Sequence, residues 1–253
     1  MLLKDFYQDK LHVYTFDTRR EMGDCAGAQA AKVINALLAR QDEVNIIFAA
    51  APSQNETLAA LKSADIDWTR INAFHMDEYI GLPDAHPAGF RNFLKAALFD
   101  DLPFKSVNLL NGNAPVEEEI TRYEALLRAH PVDVCMLGVG ENGHIAFNDP
   151  WVADFNDPAL VKAVPLDEKC RNQQVHDGCF AELSQVPTHA LTLTIPALTN
   201  AKHMFCTVPA ATKADAVKAM LCGEVTIDCP ASILTMHADA RLYTDRAAAQ
   251  HIL

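Results

Sequence analysis

The sequence predicts a single α/β domain with a mostly parallel central sheet and helices on both faces. Short apolar runs alternate with longer amphipathic stretches, 253 residues fit one such unit, and neither a repeat nor a low-complexity linker divides the chain. Residues 44–50, 70–75, 132–139, 189–195 and 202–208 are short and rich in Val, Ile, Thr and Phe, as strands are. Residues 19–40, 54–64, 87–99, 116–129 and 210–221 have the pattern of helices. The first of these is Ala-rich with charges interleaved. The fourth starts at Pro115 with Glu117, Glu118 and Glu119, a proline and then acids where a helix dipole favours them. Alternating strands and helices of this kind fold as a parallel sheet covered on both sides.

Composition narrows the function. Half the residues are apolar and 21% are charged, which is ordinary for a folded domain with a large core. The formal net charge of −12 argues against a nucleic-acid partner, whose phosphates reward clustered Lys and Arg. It leaves room for a phosphorylated metabolite, which a few local cations can hold. Seven cysteines form an odd set with no C-x-x-C pair, so reduced thiols in a cytoplasmic setting are expected. The N-terminus lacks a basic segment followed by an apolar run, and no apolar stretch reaches ~18 residues. Neither a signal peptide nor a membrane association is expected.

Ligands of open α/β sheets sit at the carboxyl ends of the strands, so the residues after each strand carry the chemistry. Met76-Asp77-Glu78-Tyr79 places two acids at such an end. Asp77 is a candidate general base; by position alone the commoner outcome is that it caps a turn, with Glu78 in solvent. Gly138-Val139-Gly140-Glu141-Asn142-Gly143 matches G-x-G-x-x-G, but Asn148 and Pro150 discourage the helix a dinucleotide site needs. No nicotinamide or other cofactor is expected. The glycines instead let backbone approach a ligand closely. His144 follows them, with Asp149 five residues on, a plausible acid/base pair or an ordinary structural histidine. No zinc-type spacing is present, and no metal is expected. Ser53 with Glu56 three residues later has the form of a capping box, and the same helix start can meet a phosphate. Lys213 lies at a helix start, where the dipole disfavours a cation; an anionic ligand or simple exposure accounts for it.

Several stretches resemble the glucosamine-6-phosphate deaminase family. They are Phe74-His75-Met76-Asp77-Glu78-Tyr79-Ile80-Gly81-Leu82-Pro83, Asn108 to Ala114, Gly138 to Asn148, and Val186-Pro187-Thr188-His189-Ala190-Leu191-Thr192. The resemblance runs over roughly residues 15–245, and the later part is shared with 6-phosphogluconolactonases. It implies a Rossmann-like fold and a reaction that opens an amino-sugar phosphate, isomerises it and releases ammonia without a metal. It also implies roles: Asp77 as the base between C2 and C1, and His144 as the group that opens the ring, aided by Asn142 and Asp149. Ser53, Gln54, Asn55 and Lys213 would hold the phosphate, with Arg171 the local candidate for the family's phosphate-binding arginine. Four positions depart from the family. Asn142 replaces an aspartate, Asp149 a glutamate, His75 an asparagine, and Gln54-Asn55-Glu56 stand where the family has Gly-Gly-Thr.

Two other functions fit parts of the chain. Gly140-Glu141-Asn142-Gly143-His144 is similar to the lactonases' Gly-Glu-Asp-Gly-His, which suggests lactone hydrolysis. Asn142 would also suit a sugar-phosphate-binding paralogue that has lost turnover. Resemblance does not settle assembly, and a homo-oligomer is compatible with it.

Overall fold

Apolar residues on alternating positions of the central strands divide between two cores, and that division defines the architecture. In the computed structural model, which describes residues 1–253, β1 (Leu2–Gln8) and β2 (Leu11–Phe16) form a hairpin that leads into α1 (Arg19–Leu38). Then follow β3 (Val44–Phe48), α2 (Asn55–Lys62), β4 (Ile71–His75), β5 (Asp77–Tyr79), α3 (Phe90–Leu94), β6 (Ser106–Asn108), α4 (Val116–Ala129) and β7 (Val134–Leu137). The chain closes with β8 (Val161–Pro165), α5 (Glu168–His176), β9 (His189–Leu193), α6 (Ile195–Thr199), β10 (His203–Val208), α7 (Ala214–Cys222) and β11 (Ala240–Asp245). The main sheet has the order β1-β2-β11-β10-β7-β3-β4-β6 and is parallel except at the β1–β2 edge.

Ile46, Phe48, Val134 and Met136 join α1, α2 and α3 in one core of 34 buried residues. Ile47, Cys135 and Leu137 join α4, α6 and α7 in another of 35. Successive side chains of a strand point to opposite faces, so both faces must be covered, as near-equal cores require. No helix is long and apolar enough to cross a membrane.

Three differences from the sequence expectations have local causes. Residues 189–193 leave the main sheet for a small antiparallel one, β5-β9-β8. The 87–99 segment is a short α3 that starts only after Pro83 and Pro87, followed by a π-helical turn over Lys95–Phe99. The Ser53–Glu56 capping box does not form. Pro52 opens a 3-10 turn, Pro52–Gln54, so α2 starts later and has no side-chain cap. The capping box is at α1, where Thr18 and Glu21 bond reciprocally.

His75 pins the end of β4. Its Nε2 accepts from the Leu110 N–H at 2.7 Å, while Tyr123 Oη accepts from the His75 N–H at 3.0 Å. Burial, with Arg91 adding to it, pushes this imidazole from 6.5 down to about 3. The native state therefore binds no proton at His75 between those values while the unfolded chain does, and stability falls as pH falls through that window. Replacing His75 by the family's asparagine keeps an acceptor for Leu110 and removes the titration. Urea unfolding at pH 7 and pH 5 should show the parent losing about 2 kcal/mol more than His75→Asn on acidification; equal losses would contradict a neutral, buried His75.

Candidate active site

Four adjacent strands, β10, β7, β3 and β4, deliver their carboxyl ends to one cavity of about 300 Å³. That size falls at the lower end of small-molecule pockets, and its place is where such sheets bind ligands. Ser53 and Gln54 arrive after β3, Asp77 after β4, Gly138, Gly140 and His144 after β7, and Lys213 after β10. Phe90, Phe93 and Phe147 give it an apolar wall.

Asp77 and its neighbour Glu78 are both buried, 8% and 2% exposed, so neither is a surface charge. Their fates differ because consecutive strand residues face opposite ways. Glu78 accepts from the backbone N–H groups of Tyr79 (3.0 Å), Phe90 (3.1 Å) and Arg91 (2.9 Å), which fastens the start of α3. Asp77 lines the cavity and its carboxyl makes no hydrogen bond within the chain. Burial, reinforced by the charge of Glu78, raises its pKa well above the ordinary carboxylate value. A poorly solvated, unpaired carboxylate is a strong base for its type.

His144 is set by what surrounds it. A Cβ at Gly140 would overlap its imidazole, so only glycine admits the ring there. Gly143, at φ +85°, turns the chain just before it. The chain then folds back through an Ile145–Asn148 bridge rather than opening a helix. Nδ1 lies 2.6 Å from Asn142 Oδ1 and 3.0 Å from Asp149 Oδ1, which leaves Nε2 as the free ring nitrogen. Asn142 Nδ2 in turn donates to Asp149 Oδ1 at 2.8 Å. Burial pushes the Asp149 carboxyl up, but His144 and the Asn142 amide outweigh it, and the pKa ends below its usual value. The position-142 asparagine therefore does not leave the imidazole without an anion, because Asp149 touches it directly.

Lys213 ends a 3-10 turn, Ala211–Lys213, at 5% exposure, and its Nζ has no hydrogen-bond partner. Burial lowers its pKa, opposed by the charges of Asp177 and Glu141. The bend that aims it is strained: Ala210 has φ 82°, and its N–H is held by Asp245 at 3.1 Å. Gln54 is locked by Thr207, whose Oγ1 donates to Gln54 Oε1 at 2.8 Å.

Two expected site residues lie elsewhere. Asn55 is exposed at the start of α2 and does not line the cavity. Arg171 does not line it either, because its Nη2 donates to the carbonyls of Leu183 (2.8 Å) and Val186 (2.9 Å). Asn142 and Asp149 stand behind His144 rather than on the wall. Arg19, Gln173, Gln174, Asp177 and Cys179 line the cavity without having been singled out. The signal for Arg19 was the one that marked Lys213, a cation in the first turn of a helix.

One group of metal-ligating types exists: His144, Asp149 and Cys170 offer ligand atoms within 4.8 Å of one another. The first two are already bonded through Nδ1, and burial holds the Cys170 thiol well above its usual pKa, far from a thiolate.

An α/β domain whose strand ends bring a carboxylate-backed imidazole, an unpaired carboxyl and a buried ammonium to one cavity has the groups an enzyme needs to move protons on a small anionic ligand. Residues 17–243 match the family described as glucosamine-6-phosphate isomerases/6-phosphogluconolactonase, and the chain belongs to it. The glucosamine-6-phosphate deaminase of Bacillus cereus (strain G9842) is 36% identical over 218 residues, 86% of this chain and 81% of that protein. A solved monomeric glucosamine-6-phosphate deaminase superposes with a TM-score of 0.85 at 28% identity, covering 94% of this chain and 98% of its own. The 6-phosphogluconolactonase of Thermotoga maritima (TM-score 0.76, 18% identity, 92% and 98% covered) shares the fold alone.

The Asn142 bridge generates a test. In Asn142→Asp an oxygen replaces the amide nitrogen 2.8 Å from Asp149 Oδ1, so two carboxylates compete for one proton. The variant should be less stable by about 1–3 kcal/mol at pH 7.5. A like-charged pair has its titration raised, so the deficit should shrink as pH falls to 5. A deficit that is absent, or that grows on acidification, would rule out the bridge.

Proposed function

We propose that this chain is an amino-sugar phosphate deaminase/isomerase, converting glucosamine 6-phosphate or a related hexosamine phosphate to a ketose phosphate and ammonia. The observation that carries it is the unpaired, buried Asp77 carboxyl facing the same cavity as His144 and Lys213. Deaminase relatives at 36% and 28% identity support the same activity.

In this proposal the phosphate rests near Lys213 and the Ser53-Gln54 turn, which orients the sugar from its remote end. His144 Nε2 takes the proton of the anomeric hydroxyl and returns one to the ring oxygen, opening the ring. Nδ1 stays bonded to Asn142 and Asp149, and the Asp149 carboxylate stabilises the imidazolium that forms in between. Asp77 then removes the proton from C2 of the open-chain aldehyde and delivers one to C1, while a proton passes from the amine nitrogen to O1, leaving an imine at C2 and a hydroxymethyl group at C1. Water adds to that carbon, the C2–N bond breaks, and ammonia leaves with a ketone in its place. The ring opening and the C2-to-C1 shift are proton transfers of the kind a positioned carboxylate and imidazole accelerate by ~10²–10⁴-fold. Cytoplasmic residence belongs to the same proposal, consistent with seven free cysteines.

The direct test is ammonia release from a panel of hexosamine 6-phosphates that differ at C2 and C4, with 6-phosphogluconolactone hydrolysis assayed in parallel. The proposal predicts ammonia from at least one amino sugar and no lactone hydrolysis above background. Lactone hydrolysis alone would assign the lactonase activity, and tight sugar-phosphate binding with no product would assign a sensor.

A further inference from the structure

Arg19 opens α1 with its guanidinium in the first turn, where the helix dipole opposes a cation. Something else must favour it there. Nη2 donates to the Pro52 carbonyl, and Nε lies 2.8 Å from Glu56 Oε2. Pro52 opens the turn after β3 that brings Ser53 and Gln54 to the cavity, Glu56 lies in the first turn of α2 that follows it, and Arg19 lines that cavity with Ser53 and Gln54. The Arg19–Glu56 pair is close but misaligned, since neither Nε nor Oε2 completes a hydrogen bond. Nη1 has no partner at all. The guanidinium is therefore half engaged.

Arg19 and Lys213 are the two side chains of permanent positive type on the cavity wall, and Asp177 lies on the same wall. A phosphate monoester dianion needs more than the single ammonium of Lys213, part of whose charge Asp177 offsets. Arg171 is bound to two carbonyls and cannot contribute. A planar guanidinium with a free edge matches phosphate oxygens in a way no other group here does.

We propose that Arg19 is the phosphate-anchoring residue of this pocket, and that a substrate phosphate binds it by displacing Glu56. The arginine that selects phosphorylated ligands thus comes from the N-terminus of α1, and Glu56 is a built-in competitor that a neutral sugar cannot displace. The sugar identity rests on the function proposed above; the anion site does not.

Calorimetric titration with inorganic phosphate tests the site without any assumption about the reaction. Arg19→Gln should weaken phosphate binding at least tenfold, and Arg19→Lys should recover part of the loss. Glu56→Gln, which frees the guanidinium, should tighten phosphate binding several-fold. With glucosamine 6-phosphate as substrate, the Arg19→Gln loss should fall on KM rather than kcat. A folded Arg19→Gln that binds phosphate within twofold of the parent overturns the assignment. Should Arg19→Gln not fold, Glu56→Gln decides: unchanged or weaker phosphate binding overturns it. If no hexosamine phosphate releases ammonia, the reaction fails while the phosphate titration still reports on Arg19.

Discussion

Placing a carboxyl at a buried strand end with nothing to bond to is costly, and the surroundings of Asp77 exist to enforce it. The transfer of an ionised carboxylate out of water is unfavourable unless hydrogen bonds replace those lost. Glu78, one residue on, receives three backbone donors; Asp77 receives none. The difference comes from backbone direction. β5 pairs with β9 so that Asp77 opposes Thr192 and Glu78 opposes Leu191, and this register fixes which acid turns to the cavity. Glu78 then serves twice, fastening α3 and keeping a negative charge beside Asp77 that resists its ionisation. The small antiparallel sheet gives Leu191 and Leu193 to one core and Tyr79 and Val164 to the other, and this packing holds the Asp77 side chain in place.

The histidine of the same cavity follows a different logic, in which the polar groups are bonded to one another. Asn142 offers its carbonyl to the ring and its amide to Asp149, so the imidazole is oriented and has an anion in contact. An asparagine between a histidine and a second carboxylate avoids the repulsion two acids would suffer at 2.8 Å. A shorter acid at 149 and an amide at 142 are thus one coupled change, whose parts would each be harmful alone. The same coupling argues against a degraded site, because an anion is in contact with the ring.

Much of this was legible in the chain. The four strands that form the cavity floor are short, β-branched and each followed by a distinctive turn, so 44–50, 70–75, 132–139 and 202–208 announced themselves and the site loops with them. The antiparallel hairpin β1–β2, the edge strands β5, β6 and β8, and β11 did not, since their sequences mix polar and charged residues into segments too short to show an alternation. Asp77, His144 and Lys213 could be found because strand ends are where such sheets act. Arg19 could not be found that way. It comes from a helix start distant in sequence, and only tertiary folding brings it to the turn after β3. Arg171 was nominated for its nearness in sequence to the family's arginine, and the structure shows it occupied by the Leu183 and Val186 carbonyls. Ser53 and Glu56 had the spacing of a capping box, but Pro52 imposes a 3-10 turn and Arg19 draws Glu56 away.

The claim on which the rest depends is that Asp77 is an unpaired base held against its own stability. Asp77→Asn separates the two sides of that claim in one variant, because the amide keeps the shape and removes the charge. Equilibrium unfolding at pH 7.5 should show the variant more stable by about 1 kcal/mol, and the gain should vanish as pH falls and the parent carboxyl becomes neutral, as a raised pKa requires. In deuterated water the same variant should no longer incorporate deuterium at C1 of the ketose phosphate. A variant that is less stable than the parent at pH 7.5, or that still exchanges that proton, would show that Asp77 is an ordinary structural acid and that the proton is moved by another group.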